Sequence, residues 1–146
     1  MGTGAIASAA VPDCIFCAIV AGDMPAEIVD SDEHTITLMD INPATKGHAL
    51  VIPRRHSEDL LSISEDDLIH CATAAQRIAR RMEETLEPDG FNLLNATRAA
   101  GWQTVFHFHI HVIPRYENDP LKLPWIPRGA EMDEIAAIAA TIREGK

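Results

Sequence analysis

The stretch Gln103-Thr104-Val105-Phe106-His107-Phe108-His109-Ile110-His111-Val112-Ile113 leaves the chain few choices of local structure. Three histidines alternate with large apolar residues, and successive side chains on a strand point to opposite faces. Phe, Ile and Val favour that conformation. The pattern predicts a strand carrying His107, His109 and His111 on one face over roughly 13 Å. Phe106, Phe108, Ile110 and Val112 then pack on the other. A buried imidazole needs a hydrogen-bonding partner. Three in a row therefore point to a site: a metal centre or histidine-centred phosphate chemistry.

The 146 residues, 47% of them apolar, suit one domain with a real core. A formal charge of -10 argues against broad binding to nucleic acid or an anionic membrane. It leaves room for a small anion held by a few local donors. No apolar run approaches the ~20 residues of a membrane span. Met1 to Ala10 lack the basic segment and long apolar run of a signal peptide. Residues 1–12 are expected as a flexible arm, 13–146 as a single domain, and the location as cytoplasmic. Three cysteines, two of them in Cys14-Ile15-Phe16-Cys17, suggest a metal or redox role rather than a disulfide framework. No strand pattern precedes this pair, so half of a zinc site is the better reading than thioredoxin-type chemistry.

Ala18 to Ala21 reads as a short helix stopped at Gly22. Glu27–Ser31 and Thr35–Asp40 read as two strands around a turn that leaves His34 solvated. Asp40 either caps the following turn or accepts hydrogen bonds from a ligand hydroxyl such as a ribose. Gly47–Pro53 is continuously apolar, hence a central strand. His48 and His56 are about 27 Å apart if the chain is extended, so they are assigned different jobs unless it bends after Pro53. Ser57 is expected to cap a short turn through Leu61. Ser64 then caps the longest helix, ending near Leu86, with three carboxylates at its positive end. Ala72, Ala75, Ile78, Ala79 and Met82 recur at helical spacing and should face the sheet. Arg77, Arg80 and Arg81 read as its solvated side. Phe91–Asn95 is a further strand, 115–130 a proline-rich loop, and Glu131–Arg143 a final amphipathic helix bearing Ile135, Ile138 and Ile142 on one face.

His107-Phe108-His109-Ile110-His111-Val112-Ile113 resembles the signature of the histidine triad family, and the likeness extends upstream. Cys14-Ile15-Phe16-Cys17, Asp40-Ile41-Asn42-Pro43, Lys46-Gly47-His48 through Pro53, Asn95 and Gln103-Thr104 stand in the family's order. The resemblance covers about residues 13 to 128 and is nearest to the Hint-like branch of nucleotide hydrolases and transferases, in its bacterial zinc-containing form. It implies an α+β fold with an antiparallel sheet of about five strands, a long helix packed on it, and a homodimer.

The chemistry the resemblance implies is a two-step displacement at the α-phosphate of a purine nucleoside 5′-phosphoryl compound such as an adenosine phosphoramidate. His109 would be the nucleophile and carry a nucleotidyl-histidine intermediate. His107, His111 and His48 would donate hydrogen bonds to phosphate oxygens. Asn95, Gln103 and Thr104 would be neutral donors to phosphate or leaving group, Asp40 would hold the ribose, and Ile41 would touch the base. Cys14, Cys17, His56 and His107 would hold a structural Zn²⁺, with the second nitrogen of His107 turned to the active site. An alternative places zinc on the triad with His48. No organic cofactor is expected. Many members of the family carry two small residues before the Gln, where this chain has Gly101-Trp102, and Trp125 lies in a segment that in related proteins reaches toward the partner's active site. Competing functions are a dinucleoside polyphosphate hydrolase and a nucleotide- and zinc-binding interaction module with incidental turnover.

Overall fold

The computed structural model of the protein describes residues 11–145; residues 1–10 of the expected arm lie outside them. The alternating segments become five strands: β1 (Ile28–Ser31), β2 (Thr35–Met39), β3 (Ala49–Pro53), β4 (Gly90–Leu94) and β5 (Ile110–Arg115). They form one antiparallel sheet in the order β1-β2-β3-β5-β4. Helices α1 (Ile15–Ala21), α2 (Glu65–Leu86) and α3 (Met132–Glu144) complete the expected α+β architecture.

The continuous apolar run of β3 lies in the middle of the sheet with every residue buried, as two-sided burial demands. One face is covered by α2. There Ala49, Val51, Phe108, Ile110 and Val112 pack on Cys71, Ala74, Ala75, Ile78 and Met82. The other face, with Ile36, Leu38, Leu50 and Ile52, is covered by Phe16 and Ile19 of α1. Each large side chain so buried contributes ~1.5–3 kcal/mol. His111 pairs with Leu50 across β3 and β5, which puts it on the face that α1 covers.

Several expectations change in the folded chain. The histidine strand begins only at Ile110. Pro53, two positions beyond the last paired residue Val51, has no N–H to offer, and its carbonyl accepts from His107 Nε2 at 2.8 Å. The ladder therefore stops, the chain bends at 105–107, and Phe106 is exposed rather than packed with Phe108. In α2, Ala74 takes the buried position expected for Ala72, which is exposed. Arg77 and Arg81 are braces rather than a merely solvated face. Arg77 bonds Asp30 and Asp32 at 2.9 and 2.8 Å, and Arg81 bonds Asp30 at 3.3 Å. His34 stacks on His70 of α2 with ring centroids 3.8 Å apart. Asp59, not Ser57, organises the turn before α2 by accepting from the amides of Leu61 and Ser62.

Ser64 caps α2 as expected, its Oγ accepting from Asp67 N at 3.1 Å. Gly47 (φ +94°) enters β3 where a Cβ would stand 2.5 Å from Leu86 Cδ1 and 3.1 Å from Pro114 Cγ. The positive φ and the nearby Pro114 ring favour glycine there. Helix α3 has the expected apolar stripe but no buried residue; Ile135, Ile138 and Ile142 are 48%, 61% and 73% exposed. Among the described residues no helix is long and apolar enough to cross a membrane.

Candidate active site

A cavity of about 310 Å³ opens between α1 and the sheet, lined by Phe16, Asp40, Ile41, Leu50, Thr104, His109 and His111 among others. The hydrogen-bond partners of each imidazole fix where its protons sit. His109 Nδ1 lies 2.8 Å from the His107 carbonyl. A carbonyl only accepts, so Nδ1 carries the proton and Nε2 keeps its lone pair. Burial lowers the pKa of His109, and the bond to the His107 carbonyl opposes this only in part. The ring is neutral near pH 7.

A second chain of protons ends at His111. The amide of Ala44 donates to His48 Nδ1 at 3.0 Å, so His48 carries its proton on Nε2. That N–H faces His111 Nδ1 at 2.9 Å, with Asp40 Oδ2 at 3.4 Å. His111 is thereby left with an Nε2–H at the cavity. Burial pushes His111 down to about 4, with the neighbouring His109 and His48 adding to the effect. Asp40 holds its own turn through Oδ1, which accepts from Asn42 N at 2.8 Å; its other oxygen faces His48. Ile41 is largely exposed at the rim.

The double duty expected of His107 is corrected. Its ring is fully buried, Nε2–H is spent on the Pro53 carbonyl, and neither nitrogen reaches the cavity. It serves His109 through its backbone carbonyl instead. His48 likewise spends its donor on His111. Gln103 is buried and bonded on every side: its amide donates to the carbonyls of Glu58 and Val105, and its oxygen accepts from Arg98 N at 2.7 Å. It clamps a loop in which Arg98 and Trp102 both adopt positive φ, a strained conformation for such residues. Asn95 donates to the His109 carbonyl at 2.9 Å. Thr104 is exposed at the cavity mouth.

On the far side of His107 the donors of Cys14, Cys17, His56 and His107 lie within 4.8 Å of one another. A tetrahedral ion with bonds of about 2.0 Å to nitrogen and 2.3 Å to sulfur sets its ligands about 3.3 Å apart for N···N and about 3.5 Å for N···S. Here His56 and His107 Nδ1 are 3.2 Å apart, and the sulfur–nitrogen separations are 3.4, 3.4 and 3.7 Å. The His107 proton on Nε2 leaves the Nδ1 lone pair aimed into this group. Burial lowers His56 and His107 and raises the Cys17 thiol; neutral imidazoles are ready ligands, and thiolates there call for a compensating cation. The residues fit a zinc ion. Asp40, His48 and His111 also cluster, but an N–H of His48 points into that group, which argues against a metal on the triad.

Phe16 was not singled out from the sequence. It lies edge-on to His107 and to His109, with centroids 5.6 and 5.2 Å away. Its spacing from Ile19 on a short apolar helix was the available signal.

The family model described as HIT domain matches residues 21–118. "Protein hit" of Bacillus subtilis is 43% identical over 104 residues, 71% of this chain and 72% of the relative. A Zn-bound histidine triad family protein from Mycobacterium smegmatis superposes with a TM-score of 0.73 at 39% identity, covering 91% of this chain and 98% of the other. The histidine triad nucleotide-binding protein of Candida albicans gives 0.81 at 26% identity, covering 90% and 96%.

Proposed function

We propose, from the premise that this chain belongs to the HIT domain family, that it is a nucleotide hydrolase or nucleotidyl transferase of the Hint-like branch acting on purine nucleoside 5′-phosphoramidates. The observation that carries the reading is the proton inventory of His109, whose Nδ1–H is committed to a carbonyl while Nε2 is free beside the cavity. His109 Nε2 attacks the α-phosphorus, the P–N bond breaks with its electron pair going to the leaving nitrogen, and that nitrogen takes a proton from solvent at the open cavity. Water then attacks phosphorus and gives up a proton to solvent, the His109–P bond breaks with its electron pair returning to Nε2, and nucleoside monophosphate leaves with neutral His109 restored. His111 Nε2–H stabilises charge on the phosphate oxygens, and His48 holds His111 in that tautomer. Thr104 contacts the phosphate or leaving group. Asp40 takes the ribose and Ile41 the base. Gln103, Asn95 and His107 act through the backbone they hold.

A second cavity, of about 480 Å³, shares Ile15, Thr104 and Val105 with the first and offers room for the leaving group. Among the described residues its lining includes Asp13 and Glu58 and no Lys or Arg. That favours an amine over the polyphosphate of a dinucleoside polyphosphate, the alternative substrate. Zinc held by Cys14, Cys17, His56 and His107 ties α1 to the chain around His107. A second copy of the chain, covering α3 and placing Trp125 near the partner's cavity, completes the proposal; the exposed stripe of α3 supports it.

The test is to mix the protein with adenosine 5′-phosphoramidate, quench, and look by mass spectrometry for an adenylylated peptide containing His109. Turnover without that adduct, or undiminished turnover by His109→Ala, would refute the covalent route. Binding of AMP without turnover of any such compound would favour the interaction module.

A further inference from the structure

We infer that metal occupancy of the Cys14–Cys17–His56–His107 cluster and nucleotide occupancy of the 310 Å³ cavity are energetically coupled, with Phe16 as the positioning residue between them. The inference rests on the nucleotide reading of the cavity given above.

The two sites are built from the same short segments. In Cys14-Ile15-Phe16-Cys17 the cysteines belong to the cluster, while Ile15 and Phe16 line the cavity. Cys14 Sγ also accepts from the Cys17 amide and caps α1, so a cluster ligand also holds the start of that helix. Phe16 presents its edge contacts to the ring of a cluster ligand, His107, and to the ring at the cavity, His109, at interplanar angles of 82° and 84°. The backbone makes a second connection. His107 has Nδ1 in the cluster and its carbonyl on His109 Nδ1. Phe108 N donates at 2.7 Å to the carbonyl of Ser57, next to the ligand His56. Closing four ligands on an ion to bond distances sets the positions of α1, His56 and His107 together. Because interiors are close-packed, the Phe16 ring and the His109 ring take their places from that closure. A nucleotide seated against Phe16 and His109 favours the same arrangement, and the coupling is reciprocal by thermodynamic necessity.

The experiment uses the full chain with cobalt(II) in place of zinc, so that visible absorption reports the tetrahedral ligand field, and AMP as the probe. Equilibrium dialysis measures AMP binding, and competition with a chromophoric chelator measures cobalt affinity with and without saturating AMP. Coupling predicts that AMP shifts the cobalt bands and strengthens cobalt retention by about fivefold or more. AMP affinity should fall by the same factor when the metal is removed. In Phe16→Leu, which keeps an apolar side chain without the aromatic edge, cobalt and AMP both still bind. The AMP-dependent change in retention then drops to within about twofold of none. AMP that binds the wild-type protein yet leaves bands and retention unchanged would overturn the coupling, and the wild-type measurement alone decides this if Phe16→Leu does not fold. Full coupling in Phe16→Leu would remove Phe16 from the link. AMP that fails to bind the metal-loaded protein at all would instead sink the nucleotide reading, and the coupling with it.

Discussion

Two groups of metal-binding residue types flank His109, and in both the candidate ligand atoms lie within 4.8 Å of one another. Cys14, Cys17, His56 and His107 form one; Asp40, His48 and His111 form the other. The difference lies in hydrogens. In the first, the Pro53 carbonyl takes the His107 proton and leaves lone pairs converging on a common centre. In the second, the Ala44 amide forces a proton onto His48 Nε2, and N–H groups run in series toward the cavity. One backbone carbonyl and one backbone amide thus set the first group up to receive a metal and the second to pass N–H groups toward the cavity. A donor set identifies a metal site only once its outer hydrogen bonds are known.

The largest expected effect falls on the ring between the two groups. His109→Asn should lower turnover of adenosine phosphoramidate by about 10³-fold or more while AMP still binds, because an amide offers no comparable nucleophile. Steady-state rates near wild type would break the picture at its centre. Next, Cys14→Ser with Cys17→Ser should empty the cage and leave the donor chain. Metal analysis should find zinc gone, and the melting temperature should drop by about 10 °C or more as α1 loses its tie. Zinc retained in full would dissolve the distinction. His48→Gln makes the opposite cut: zinc content unchanged, turnover down about ten- to hundredfold as His111 loses its fixed tautomer. A variant as fast as the parent would show the chain of donors idle.

The smallest effect is on acid stability. Burial, above all, depresses His48, His109 and His111, the last to about 4. Unfolding frees these rings to bind protons near pH 6.5. Their contribution is therefore full above about pH 6.5 and lost as pH falls toward 4. Thermal melts should show a midpoint several degrees lower at pH 5 than at pH 7.5, with His48→Gln less sensitive. Equal midpoints would mean the rings are not held neutral by the fold.

Much of this was legible in the chain. The Ser64 cap, the acidic first turn and the apolar stripe fixed α2 to within a residue of its ends. The unbroken apolar run gave β3 its central place. The Cys-x-x-C pair and His56 were grouped by family likeness, and their donors do converge. What could not be read were long-range consequences. Arg77 is an exposed position by helical phase, yet β1 brings Asp30 and Asp32 to it. Gln103 looked like a ligand donor until the fold surrounded it with three backbone partners. The protonation of His48 and His107 depends on Ala44 and Pro53, which no side-chain pattern announces. For α3 the apolar stripe was legible, and in the fold Ile135, Ile138 and Ile142 stay exposed along it.

The late start of β5 at Ile110 carries a trade-off between stability and activity. A residue with an N–H at position 53 could extend the pairing toward Phe108, and an extended main chain there would draw the His107 carbonyl away from His109. Pro53→Val is therefore expected to raise the melting temperature while lowering turnover. Selection for a sturdier sheet would work against the proposed turnover, and the proline marks where the two demands meet.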